Sequence, residues 1–142
     1  MLKRGYFKLL FGLTALFLCV IAGVATAQII TINAHIFNVE IAQTQQQLQQ
    51  GLMFRKELAQ NSGMLFVHSR AHMLSMWMKD TLIDLDMLFI DENNKIIGIH
   101  TAIAQDLSRI NSPSPAKYVL ELNAGIAKKR DIKIDDLVKL NN

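Results

Sequence analysis

The first 27 residues constrain everything downstream. Lys3, Arg4 and Lys8 form a basic start, and Leu9 to Val24 make an uncharged, largely apolar run. Ala25-Thr26-Ala27 then supplies the small-x-small pattern of a signal-peptidase site before Gln28. The expectation is a signal peptide over 1–27 and a single domain over 28–142, periplasmic or secreted, touching the membrane only during export. An uncleaved anchor is the alternative, since Leu9 to Ala27 is 19 residues without a charge, near the ~20 needed to cross a hydrocarbon core. Leu18, directly before Cys19, is too large for a lipid-attachment site. A cytoplasmic protein with a buried N-terminal helix would leave a well-formed cleavage site without a purpose.

The same segment decides what charge and cysteine content mean. Its three cations account for the whole formal charge of +3, so from Gln28 onward positive and negative side chains balance. No basic field remains to argue for nucleic acid or an anionic surface. Cys19 is the only cysteine and leaves with the signal. Beyond it, disulfides, zinc-thiolate sites and Cys-His catalysis are excluded, and stability must come from the core. A chain of this size can bury one.

The hydrophobic pattern predicts short strands with one or two short helices. IITINAHIFNVEIA (29–42) alternates imperfectly, with a turn at Asn33-Ala34. Thr44 with Gln47 three residues on forms a capping box for a short helix, and Gly51 is its natural stop. GMLFVH (63–68), LDMLFID (85–91) and KIIGIHTAI (95–103) read as strands, the last two joined through Glu92-Asn93-Asn94. Asp106 to Lys117, with its SPSP core, reads as an irregular segment. Tyr118 to Leu122 resumes strand, Ala124 to Arg130 holds a helical turn or two, and Leu137 to Leu140 closes the chain. The predicted class is α+β: one small domain with a mainly antiparallel, curved, barrel-like sheet. Met64 to Phe66, Met87 to Ile90 and Val119 to Leu122 are its expected core.

GLMFRKEL (51–58), GMLFV (63–67), WMKDTLIDLDMLFID (77–91) and YVLELNAGIA (118–127) occur in that order. Together they resemble domain-of-unknown-function family 192, an uncharacterised bacterial and archaeal group. The resemblance implies a small domain of mixed α and β structure with a curved, barrel-like sheet, often behind a signal peptide, and supplies no established activity. Arg55, Lys79, Thr81, Asp86 and Glu121 match the family pattern. Asp80 stands where the family usually has Asn, Asp84 replaces its proline, Gln47-Leu48 replaces a common Glu-Arg, and Met76 holds an often aromatic position.

Three constellations carry chemistry. Arg55, Lys79, Asp80, Asp86 and Glu121 are charges in apolar surroundings, which are costly to bury unpaired. They either form a structural network of ion pairs and caps or line a cleft. With Trp77 as a wall and Thr81 beside Lys79, the cleft would bind a small polar molecule or a partner's peptide. The expected protein is a non-catalytic, monomeric binding domain with no cofactor and no metal. A rival reading takes His68, His72, Met73, Met76 and Met78 as soft ligands for copper; in the bland version, Met76 and Met78 fill core gaps. A third places Asp80, Asp84 and Asp86 on one face of a strand as a carboxylate-dependent hydrolase.

Overall fold

The computed structural model describes residues 27–141; the basic start, the apolar run and Cys19 lie outside them. The alternating segment becomes a hairpin of β1 (Ala27–Ile32) and β2 (His35–Ala42). Its two-residue turn places Asn33 and Ala34 at φ 51° and 54°, the positive values that match a turn to the twist of its strands. The capped helix is α1 (Gln45–Gln50). Thr44 Oγ1 accepts from the Gln47 amide while Gln47 Oε1 accepts from the Thr44 amide, and Gly51 ends the helix at φ 49°.

The rest follows as β3 (Ser62–His72), β4 (Ser75–Met76), β5 (Leu85–Ile90), β6 (Ile96–Ala102), β7 (Ile110–Asn111) and β8 (Ala116–Asn123). A short helix α2 (Ile126–Lys129) and β9 (Val138–Asn141) complete the described chain. Seven strands form one curled half-barrel sheet in the order β6-β5-β8-β3-β2-β1-β9, and β4 pairs with β7 separately. Every pairing is antiparallel except β2 with β3. That parallel pair needs a crossover, and residues 43–61, with α1 among them, provide it. The predicted class therefore holds, while the Pro-bearing segment is more regular than expected: β7 sits within it and β8 begins inside its end.

The sheet buries apolar side chains on both faces. On one face Ile30, Phe37, Val39, Leu65, Leu88 and Leu120 pack with Ile126 and Ala127 of α2. On the other Leu52, Phe66, Met78, Met87, Phe89 and Val119 pack under α1 and the loops around β4. Alternation along β5 and β8 assigns each side chain its face: Met87 lies opposite Glu121, Asp86 opposite Leu122. All three expected core segments are buried. Among the described residues no helix is long and apolar enough to cross a membrane.

Candidate functional site

Glu121 is the anomaly of the second face. Its position in β8 puts it between Met64 of β3 and Met87 of β5, both buried. The residue is 4% exposed. With sulfur and methylene groups around it, burial alone pushes the carboxyl up to about 8, and no neighbouring charge or hydrogen bond opposes the shift. Its carboxyl opens onto a groove of about 460 Å³, a volume typical of small-molecule sites.

Three pieces of chain wall this groove. The first is the end of α1 and the turn after it, from Leu48 to Met53. Gly51 makes this approach work: a Cβ there would lie 2.9 Å from the Phe66 ring, on top of a positive φ. The second wall is β4 and its continuation. Ser75 and Met76 pair with Asn111 and Ile110, and Leu74 and Ser112 clamp the ladder: the Leu74 amide donates to Ser112 Oγ and the Ser112 amide to the Leu74 carbonyl, each at 2.9 Å. The next residues along, Trp77 and Arg109, then meet, with the Arg109 guanidinium 4.4 Å from the indole centroid. Lys79 Nζ lies 5.4 Å from the same ring. Such contacts hold cations by the indole's quadrupole without neutralising them.

The third piece is the loop after Trp77. The Met78 amide donates to the Asp106 carbonyl, the Thr81 amide to the Met78 carbonyl and the Gln105 amide to the Thr81 carbonyl. Thr81 is buried, and its hydroxyl donates to the Lys79 carbonyl at 3.3 Å. A 2.8 Å bond from the Phe54 amide to the Asp80 carbonyl ties this loop to the first wall. Both residues sit at positive φ, 64° and 53°, and an exposed phenylalanine rarely does. Strain of this kind persists where a rim must keep its shape.

Of the seven residues expected to form a site, Trp77, Lys79, Thr81 and Glu121 line the groove together. The other three lie elsewhere. Arg55 turns to Glu40 of β2, Nη1 and Nη2 donating to Oε1 and Oε2 at 2.7 and 2.6 Å. That hydrogen bond raises the guanidinium pKa further. The pair borders a smaller neighbouring depression. Asp86 faces α2: Thr101 Oγ1 and the Ala127 amide donate to its carboxylate at 2.7 and 2.9 Å. Asp80 contributes its backbone to the rim and is not among the groove's lining residues.

The hydrolytic trio does not exist. Residues 80–84 are loop, and β5 begins only at Leu85, so the period-two rule that would align three carboxylates has no strand to act on. Asp84 instead accepts from the Ala104 amide at 2.7 Å. Among the described residues no group of three or more His, Cys, Asp or Glu side chains is placed to hold a metal ion. In the His/Met stretch, Met78 is a fully buried core residue and Met76 packs beside it and lines the groove. His68 and His72 meet edge-on, ring centroids 5.1 Å apart, and His68 Nε2 is buried without a hydrogen-bond partner. Burial, with help from His72, lowers the His68 pKa.

Sequence reasoning missed Arg109, Glu40 and the helix-end residues. Glu40 carried a signal in the alternation of β2. Arg109 carried none, because only the ladder of β4 with β7 brings it to Trp77.

The profile of family DUF192, described as an uncharacterized ACR, matches residues 28–140. The chain belongs to this family. A provisionally designated transcription regulator from Sinorhizobium meliloti 1021, solved crystallographically, is 35% identical with a TM-score of 0.79, and the match covers 82% of this chain and 95% of that one. A protein of unknown function from Novosphingobium aromaticivorans DSM 12444 is 31% identical with a TM-score of 0.80, over 83% of this chain and 88% of that one. No curated protein matches the chain. The DUF192 fold is thus shared with both solved proteins.

Proposed function

We propose that this chain is an exported, non-catalytic binding domain whose groove recognises a small polar ligand. One observation carries the reading. Glu121 is a buried carboxyl that nothing in the described protein satisfies, and it opens onto a groove rather than into packed core. A fold that only needed to fill this position would place an apolar residue between Met64 and Met87, since an unserved buried polar group destabilises. Trp77, Lys79 and Arg109 add an aromatic wall and two cations free of ion pairs among the described residues. Catalysis is not favoured: the lining contains no second carboxylate and no histidine to share proton transfer with Glu121.

Export rests on the N-terminal pattern, and intact mass of the protein recovered outside the cytoplasm tests it. A chain starting at Gln28 is expected; full-length, membrane-retained protein favours the anchor. Binding is tested by a thermal-shift screen of polar metabolites against the parent and Glu121→Leu. A ligand that stabilises the parent and not the variant is expected. If none emerges, Glu121 is an architectural residue and the binding reading fails.

A second reading has one observation in its favour. The unpartnered His68 Nε2 beside His72 would suit a soft metal once the pair rearranged. Competition for Cu(I) with a chromogenic chelator, comparing the parent with His72→Ala and Met76→Leu, decides it. Absent uptake by the parent, or equal uptake by all three, ends that reading.

A further inference from the structure

The groove carries one acid and two cations that do not meet. Glu121 lies at its floor. Lys79 and Arg109 stand at its mouth, each against the Trp77 ring, and among the described residues neither pairs with a carboxylate. Side chains this flexible would close on a nearby carboxylate if they could reach it, as Arg55 does on Glu40. Here the indole holds the cations back while the sheet holds Glu121 down. The remaining lining contributes no charge: Gln49 and Gln50 come from α1, Met53 and Phe66 are apolar, and Ser75 and Thr81 are hydroxyls. Asp86, on the neighbouring strand, projects from the opposite face toward α2, and Glu40, on Glu121's own face one strand beyond Met64, is held by Arg55.

We infer that the groove takes a dipeptide-sized zwitterion, its amine meeting the Glu121 carboxyl at the floor and its anionic end meeting Lys79 and Arg109 at the mouth. This rests on the binding reading above and narrows it to a ligand class. Complementarity excludes the simpler classes. A plain cation gains at the floor but must pass two cations. A plain anion gains at the mouth but leaves Glu121 unserved. A neutral polyol can hydrogen-bond to Glu121 yet makes no use of the two cations. The groove's volume of about 460 Å³ accommodates two linked residues rather than a long peptide.

The chemistry of binding adds a signature. With no cation beside it Glu121 is a neutral acid at pH 7, because burial raises it to about 8. An ammonium group arriving beside it favours the carboxylate, so Glu121 gives its proton to solvent as the ion pair forms. Affinity then rises with pH until the ligand's own amine begins to lose its proton. No other titratable side chain lines the floor to mask this exchange.

Isothermal titration of the protein decides the matter. The probes are a panel of free dipeptides, their N-acetylated and C-amidated forms, and putrescine, succinate and maltose. Two buffers of different ionisation enthalpy at pH 7 report the proton balance. Free dipeptides are expected to bind with net proton release, and blocking either end weakens binding roughly tenfold or more. Glu121→Gln, checked for folding by its amide NMR spectrum, loses the proton release; Lys79→Met and Arg109→Met lose discrimination against the amidated form. Equal binding of blocked and free forms, or proton uptake instead of release, overturns the inference. Binding of maltose, putrescine or succinate alone, lost in Glu121→Gln, overturns the ligand class and leaves the groove reading standing. Silence from every probe overturns the inference, and the groove reading falls with it only if the wider metabolite screen is also empty.

Discussion

Asp86 and Glu121 are buried carboxylates on neighbouring strands, 1% and 4% exposed, yet they have opposite lives. Asp86 points to the α2 face, where a hydroxyl and a backbone amide were brought to meet it. Glu121 points to the other face, between two methionines, and receives nothing. The first is a lock: it pins the N-terminal turn of α2 and the edge strand β6 to the sheet. The second costs stability and returns none within the described protein, which is the cost the proposed ligand contact would offset. Burial and charge alone do not separate structure from site; the partners do.

The pH dependence of stability sharpens the contrast most. The folded-state pKa of Glu121, about 8, lies above the ordinary 4.5. The folded protein keeps a proton that the unfolded chain releases, so this group's contribution is fully present below about pH 4.5 and declines through the raised value. The decline approaches about 1.4 kcal/mol per pH unit and sums to roughly 5 kcal/mol across the window. Urea titrations of the parent and Glu121→Gln from pH 4 to 9 should show this slope in the parent only. Coincident profiles would erase the distinction between the two carboxylates.

Next in size is Asp86→Ala, which strands the Ala127 amide and the Thr101 hydroxyl. A loss of about 3 kcal/mol is expected by chemical denaturation at pH 7. Asp86→Asn, which keeps an acceptor, should recover part of it. A loss below about 1 kcal/mol would mean the lock is not one.

Arg55→Met should cost less, about 1 kcal/mol or under by thermal melt, because its partner Glu40 is partly solvated and the pair is half-exposed. A cost of several kcal/mol would show that this bidentate pair anchors the hairpin as firmly as Asp86 anchors α2. Lys79→Met comes last. With its ammonium resting on Trp77 and no ion pair to break, its melting curve should move by no more than about 0.5 kcal/mol. A larger loss would place Lys79 among the structural groups.

Most of the fold was legible because it is locally written. The capping box at Thr44 and Gln47, the stop at Gly51 and the turn at Asn33-Ala34 act over a few residues, and each occurs where expected. The candidate site was half legible. Trp77, Lys79, Thr81 and Glu121 stand out as polar or aromatic interruptions, and the structure gathers them. Arg55 and Asp86 interrupt their surroundings in the same way but are served by Glu40, Thr101 and Ala127, partners 15 to 41 residues distant in sequence. Nothing local announces such pairings. Asp80, Asp84 and Asp86 misled for a related reason: period-two spacing has meaning only inside a strand, and the strand starts one residue after Asp84.

The parallel pairing of β2 with β3 has a further consequence. It obliges the chain to travel from one end of the sheet back to the other, and that detour supplies a whole side of the groove, from Leu48 to Met53. The carboxyl at the base belongs to a central strand that cannot shift register without turning the core inside out. The helix within the detour is under less discipline, since none of its six residues is buried. Its side chains can be exchanged while the ladder on either side stays intact, whereas the turn after it is held by Gly51 against Phe66 and by buried Leu52. One wall of the groove is therefore free to drift between lineages as what it stands on stays put, and relatives should differ first along the helix, not in the turn that follows it.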